Sequence, residues 1–217
     1  MNSPPSSLPA AGQRLRQAIA EERPLQVVGV PNAYCALLAQ QAGFRAIYLS
    51  GAGVANMAYG RPDLGLTSCA EVVEEARRIT AATPLPLLVD VDTGWGDEVT
   101  DCVRDLEQAG AAGLQLEDQV EEKRCGHRPG KMLVSTVEMQ ARLSAALAAR
   151  RDNSFVIMAR TDAGSVEGLS AAIDRGLAYI ETGADMIFVE ALTSLDAYRQ
   201  FTAAVRVPVL ANLTEFG

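Results

Sequence analysis

The sequence predicts a parallel α/β barrel of the (β/α)₈ kind, and three observations carry that prediction. Short apolar, β-branched runs alternate with longer segments of helical periodicity along the 217 residues. Several runs, such as Leu87–Val89 and Val156–Ala159, are apolar rather than alternating, which suits parallel strands covered on both faces. Each run ends in polar residues, and a barrel brings all its strand ends to one mouth, whereas an open sheet gathers ligand groups at a single switch point.

In chain order the strand runs are Leu25–Val30, Ala46–Ser50, Leu85–Asp92, Gly113–Glu117, Phe155–Asp162, Met186–Glu190 and Val207–Asn212. Helical spacing predicts Tyr34–Ala42, Cys69–Thr80, Val99–Ala109, Thr136–Arg150, Gly168–Thr182 and Ser194–Val205 between them. Three of these helices run into Gly43, Gly110 and Gly183, where glycine can take the left-handed conformation that closes a last turn. The polar groups at the strand ends are Asn32, Ser50, Asp90 with Asp92, Glu117, Arg160 with Asp162, Glu190, and Asn212 with Thr214. Seven strand runs are present and such a barrel closes with eight. The expectation is therefore a (β/α)₈ barrel truncated after its seventh strand, occupying 13–217. Residues 1–12, rich in Pro and Ser, read as a mobile tail.

Composition narrows the function classes. Hydrophobic residues at 48% against 21% charged fit a globular chain and exclude wholesale disorder. The net charge of −8 and the scattered Lys and Arg argue against a nucleic-acid partner. No apolar run approaches the ~20 residues that span a bilayer, and the first residues lack a secretory pattern. The four cysteines form no C-x-x-C pair, so neither a zinc site nor a disulfide framework is indicated, and a cytoplasmic setting is expected.

Two segments carry chemistry. Asp90 and Asp92 close an apolar strand and, two residues apart, should face the same way. Carboxylates held together repel, the more so when buried, and a divalent cation relieves the repulsion. Oxygen-only ligation suits Mg²⁺ or Mn²⁺ better than zinc. A lone D-x-D is usually a solvated loop or a cap, but the strand before it and Gly94 and Gly96 after it favour the metal. The second segment, Lys123–Lys131, places Cys125 among five basic side chains, one of them the sole histidine, His127. Positive charge favours a thiolate, and glycine and proline make the segment a loop. Composition alone leaves a redox thiol or an incidental surface cysteine open there.

Weaker signals have plainer readings. Ser50–Asn56 begins like a dinucleotide fingerprint, but Asn56 stands where a small residue is required, so a turn at a substrate site is expected instead. Asp63 either approaches the metal or satisfies local amides in a turn. Trp95 and Tyr59 are read as packing, as are Cys35, Cys69 and Cys102.

Lys123–Lys131 followed by Val134-Ser135 resembles the catalytic loop of the isocitrate lyase and phosphoenolpyruvate mutase superfamily. KRCGHRP resembles its methylisocitrate lyase form, as against the KKCGH of isocitrate lyases. The resemblance continues through Tyr48–Gly51, Leu87–Asp92, Gly113–Gln119, Val156–Asp162 and Ala211–Gly217. It implies Mg²⁺ at Asp90 and Asp92, with Glu117 in the outer shell. Ser50, Gly51 and Ala52 would bind the α-keto acid end of a tricarboxylate substrate. Cys125 would protonate the succinate half, with Gly126 against the substrate and Lys123 and His127 tuning the thiol. Arg160 would grip a carboxylate, Glu190, Asn212, Leu213 and Thr214 would complete the pocket, and Tyr48 would take the hydroxyl proton. The activity implied is retro-aldol cleavage of 2-methylisocitrate to pyruvate and succinate in propionate catabolism, by a cytoplasmic homotetramer. Ala52 and Gly130 depart from a glycine and an asparagine common among relatives. The alternatives are isocitrate lyase, oxaloacetate decarboxylase or phosphonopyruvate chemistry within the superfamily, or a non-catalytic fragment that associates with other subunits.

Overall fold

The aliphatic runs of the sequence pair into one parallel sheet. The computed structural model describes residues 8–126 and 128–213. Its strands are β1 (Val27–Gly29), β2 (Ala46–Leu49), β3 (Leu87–Asp90), β4 (Gly113–Glu117), β5 (Val156–Thr161), β6 (Met186–Val189) and β7 (Val209–Leu210), and they lie side by side in chain order. Each pairs in parallel with the next, for example Asp90 opposite Gln115 and Glu117 opposite Arg160. The main crossover helices are α2 (Ala33–Gln41), α4 (Cys69–Ala82), α5 (Val99–Gln108), α6 (Thr136–Ala149), α8 (Leu169–Thr182) and α9 (Leu195–Val205). Two short helices, α3 (Gly51–Gly53, continued by a wider turn over Val54–Ala58) and α7 (Ala163–Val166), follow β2 and β5 at the mouth. Gly43, Gly110 and Gly183 all have positive φ, as a left-handed helix closure requires.

Alternation along each strand divides the apolar side chains into two bodies. Ile47, Leu49, Leu87, Val89, Leu114, Leu116, Ile157 and Ala159 point out under the helices. Ala46, Leu88, Val156, Met158, Met186 and Phe188 point in. One cavity is lined by residues of β1 and by residues 206–213 around β7, so the sheet curls until its first and last strands face a common interior. Among the described residues no strand joins β7 to β1.

The structure corrects the sequence reading at the amino-terminal end. Helix α1 (Ala11–Glu21) begins inside the segment expected to be tail. Its Leu15, 2% exposed, packs on the inward-pointing side chains, with Ile19 beside it. The approach is close: a Cβ on Gly12 would stand 2.1 Å from the Ser154 carbonyl oxygen. Only a residue without a side chain fits there. The strands are also shorter than their apolar runs, because β3 stops at Asp90 and β5 at Thr161.

Replacing Leu15 with Ala is expected to lower unfolding free energy by about 2–5 kcal/mol, the usual cost of emptying a buried leucine site. Gly12→Ala should also destabilise, by forcing α1 off the end of β5. Urea denaturation of both variants measures these losses; an unchanged midpoint for either would mean that α1 does not cover the barrel interior.

Candidate active site

Strand ends β2 to β6 bring a dense set of charges to one mouth. Asp90 is the last residue of β3, and its Oδ2 accepts the Gly51 amide at 3.0 Å, while Oδ1 accepts the Asp92 amide at 3.1 Å. Asp92 lies beyond the strand, in a left-handed turn at φ 47°. The expectation that both aspartates project from one extended strand is thus corrected: the turn, not the strand period, swings Asp92 back toward Asp90. Its carbonyl accepts the Glu117 amide at 2.9 Å, which ties the turn to the end of β4.

Asp90, Asp92 and Glu117 are buried and each offers a carboxylate oxygen within 4.8 Å of the others. Asp92 Oδ1 and Glu117 Oε1 have no hydrogen-bond partner. Lys123 Nζ is 2.6 Å from Asp92 Oδ1, an ion-pair contact off the angle of a hydrogen bond. Burial, with repulsion from Asp90, pushes the Asp92 carboxyl up to about 6 against the pull of Lys123. Burial likewise holds Glu117 well above the carboxylate range, although Arg160 opposes it. Lys123 is itself raised, because the surrounding carboxylates outweigh the cost of burying its charge. Acids and a base shifted in the same direction mark a site with surplus negative charge. Among the described residues, Asp63, Asp92, Glu117, Asp162 and Glu190 form ion pairs with Lys123, Lys131 and Arg160, and Asp90 adds a further acid beside them. An unbonded Glu117 Oε1 and an Asp92 Oδ1 met only by an ion pair, amid that surplus, fit a hard divalent cation. The three acids are the residues that could hold it.

Arg160, at the inner face of β5, is fully engaged. Its Nε and Nη2 bond Asp162 at 3.0 and 3.2 Å, Nη1 lies 3.3 Å from Glu117 Oε2 and Nη2 lies 3.3 Å from Glu190 Oε2. The guanidinium also stacks 5.0 Å over the Phe188 ring. Burial works against its charge, yet Glu117, Asp162 and Glu190 keep it charged. A substrate carboxylate would have to share this fork with Asp162.

Tyr48 projects inward from β2 and donates to Gln115 Oε1 at 2.7 Å. Burial and the nearby Asp90 carboxylate raise its phenol well above the usual tyrosine range. It is neutral, with its proton already aimed at an amide oxygen. Here the phenol stands as a donor to Gln115. Ser50 caps α3 by accepting the Gly53 amide at 3.0 Å, and Ser50 and Ala52 line the cavity with Asn212 and the 83%-exposed Leu213.

The thiol loop folds over this mouth. Residues 119–120 and 132–133 clamp its base through the Gln119–Leu133 bridge and the Val120 amide to the Met132 carbonyl at 3.0 Å. Gln119 exchanges two bonds with the Arg124 backbone, at 2.9 and 3.0 Å. Lys123 reaches both Asp92 and Asp63, so Asp63 serves the loop lysine rather than local amides. Cys125 and Gly126 line the same cavity as Tyr48, Ser50, Asp90, Arg160 and Glu190. A Cβ on Gly126 would stand 2.4 Å from Arg160 Nη2 and 2.7 Å from Glu190 Oε2. His127 and Thr214 lie outside the described residues. Trp95 donates to the Thr67 carbonyl at 2.8 Å and packs against the outer core, as expected of a structural residue.

Sequence reasoning missed a buried support behind β4 and β5. Asp118 accepts the Thr161 hydroxyl and the Tyr179 phenol, each at 2.8 Å, and the Asp162 amide at 2.9 Å, with Arg175 Nη1 at 3.4 Å. A second aspartate directly after the strand-ending Glu117 was the available signal, since consecutive strand residues face opposite sides.

The family model described as phosphoenolpyruvate phosphomutase matches residues 15–216. The chain belongs to the isocitrate lyase and phosphoenolpyruvate mutase superfamily. Within it, the 2-methylisocitrate lyase of Shewanella oneidensis is 60% identical over 96% of this chain and 72% of that protein. The solved structure of 2,3-dimethylmalate lyase, 34% identical, superposes with a TM-score of 0.90 over 97% of this chain and 72% of that one. A phosphonopyruvate hydrolase solved with oxalate and Mg²⁺ is 33% identical, with a TM-score of 0.81 over 93% of this chain and 71% of its own. Among these superfamily members, this chain stands with the carbon–carbon lyases. No helix among the described residues is long and apolar enough to cross a membrane.

Asp92→Asn removes one charge from the cation cluster and leaves its shape. Isothermal titration with Mg²⁺ is expected to show binding weakened by about tenfold or more relative to the parent. Equal affinity in the two proteins would place the cation elsewhere.

Proposed function

We propose that this protein cleaves 2-methylisocitrate to pyruvate and succinate with the help of Mg²⁺. The observation that carries the reading is Cys125 entering the same cavity as the buried Asp90–Asp92–Glu117 cluster, in a chain 60% identical to a relative of that name. Mn²⁺ meets the same oxygen donors and is the expected substitute. The resemblance further supports a place in propionate catabolism and a cytoplasmic homotetramer.

Retro-aldol cleavage needs three services. The substrate hydroxyl gives up its proton and becomes the pyruvate carbonyl as the carbon–carbon bond breaks. The bonding electrons pass to the carbon beside a succinate carboxylate, and that carbon then takes a proton. A divalent ion held by Asp90 and Asp92 supplies Lewis-acid polarisation of the pyruvate half. Glu117, buried beside Asp90 and Asp92, would support the ion from its outer shell, and Tyr48, which lines the same cavity, is the group that would take the hydroxyl proton. Gln115 fixes the Tyr48 phenol inside the barrel by accepting its hydrogen bond at 2.7 Å. Arg160 offers its guanidinium to a substrate carboxylate while Asp162 and Glu190 hold it in plane. Cys125 Sγ, brought in by the loop, donates the final proton. Ser50, Gly51 and Ala52 bind the keto-acid end, and Gly126, Asn212, Leu213 and Thr214 line the rest, with Lys123 and His127 placing the thiol.

Pyruvate is expected from 2-methylisocitrate with Mg²⁺, and EDTA should abolish it. Cys125→Ser should lower kcat by about 10²–10⁴-fold, the range of a general acid's contribution. Faster turnover of isocitrate, oxaloacetate or phosphonopyruvate than of 2-methylisocitrate would overturn the substrate assignment. Gly126→Ala, whose new methyl meets Arg160 and Glu190, should depress kcat by about 10²-fold or more; full activity would show that the loop does not approach them.

A further inference from the structure

We propose that Lys131 is a positioning residue for Cys125, tying the backbone of the thiol loop to the end of β5. Its ammonium donates to the Gly126 carbonyl at 2.6 Å and to Asp162 Oδ1 at 2.7 Å. The Lys131 side chain is 3% exposed and that of Asp162 is not exposed at all. A lysine buried this deeply is rare unless paired. Here one ammonium joins a loop carbonyl to a carboxylate on a rigid strand end.

The rigid side of the tie is over-determined. The Asp162 amide is held by Asp118 Oδ1, and Asp118 is fixed in turn by Thr161 and Tyr179. Arg160 already binds the Asp162 carboxylate through two nitrogens. Asp162 therefore keeps a charged partner without Lys131, although Arg160 and Lys131 together hold its carboxyl below the usual range despite burial. Among the described residues, what Lys131 alone supplies is the bond to the Gly126 carbonyl, one residue from the thiol. That residue's backbone lies so near Arg160 and Glu190 that a Cβ would overlap them.

Lys131 does not line the cavity that holds Tyr48, Asp90, Cys125 and Arg160; it lines a separate 540 Å³ hollow between the loop and α7. It acts through the loop, not by touching substrate. The loop base is closed independently by residues 119–120 and 132–133, so losing the lysine frees the Cys125 segment without unravelling the loop.

The consequence for turnover rests on the lyase reading, but the tie itself is tested without turnover. Lys131→Met is compared with the parent in two rates: tryptic cleavage after Lys123 and Arg124, and iodoacetamide alkylation of Cys125. Cys35, the other partly exposed thiol, is the internal control. Both loop rates are expected to rise about tenfold or more, as for loss of a charge-assisted tether, with Cys35 alkylation and far-UV circular dichroism unchanged. With 2-methylisocitrate and Mg²⁺, kcat should fall about 100-fold while KM moves little. Lys131→Gln, which keeps a shorter donor, should recover part of each effect, and it supplies the same readouts if the methionine variant does not fold. Loop rates equal to the parent's overturn the proposal, whether or not activity falls. A parent that makes no pyruvate would sink the lyase reading alone, and the two loop rates would still decide the tie.

Discussion

Crowding of buried carboxylates at the ends of β3, β4 and β5 is the constraint on which the rest of the mouth depends. Three acids within 4.8 Å of one another would drive a sheet edge apart if nothing neutral or positive reached them. The chain answers from two directions. Arg160 comes from the strands themselves and is shared among Glu117, Asp162 and Glu190. Lys123 comes from the loop and is shared between Asp92 and Asp63. The loop is thus drawn onto the site by the same charge that a cation would satisfy. Electrostatic need and the delivery of Cys125 are one arrangement.

That coupling explains why the thiol can reside on a loop and still be placed with precision. Loops carry reactive groups because they can be shaped freely, but they position poorly unless fastened. Here Gln119 fastens the Arg124 backbone and Lys123 reaches the aspartates, so residues on both sides of the mouth restrain a short segment. Gly126 lets that segment touch Arg160, where any side chain would intervene.

Much of this was legible in the sequence. Leu87-Leu88-Val89 and Val156-Ile157-Met158-Ala159 announced buried parallel strands because nothing polar interrupts them on either face. Asp90, Glu117, Arg160 and Glu190 announced the mouth because each ends such a run. Helix α1 was not legible: its buried face is only Leu15, Ala18 and a close contact at Gly12, too few apolar positions to stand out beside a Pro-rich start. The turn at Asp92 was hidden as well, since strand spacing and a left-handed turn both bring the side chain to Asp90. The donor character of Tyr48 depends on Gln115, 67 residues away in sequence, and no local pattern reports such a partner. The Asp118 support was missed because its partners Thr161, Arg175 and Tyr179 come from a strand and a helix far along the chain.

The left-handed backbone at Asp92 has a cost that falls on the fold and a benefit that falls only on the site. A non-glycine residue held at φ 47° stores strain of about 1–3 kcal/mol, and glycine would relieve it while discarding the carboxylate. Thermodynamic robustness and chemical competence pull in opposite directions at this one position. A chain optimised only to stay folded would give the aspartate up.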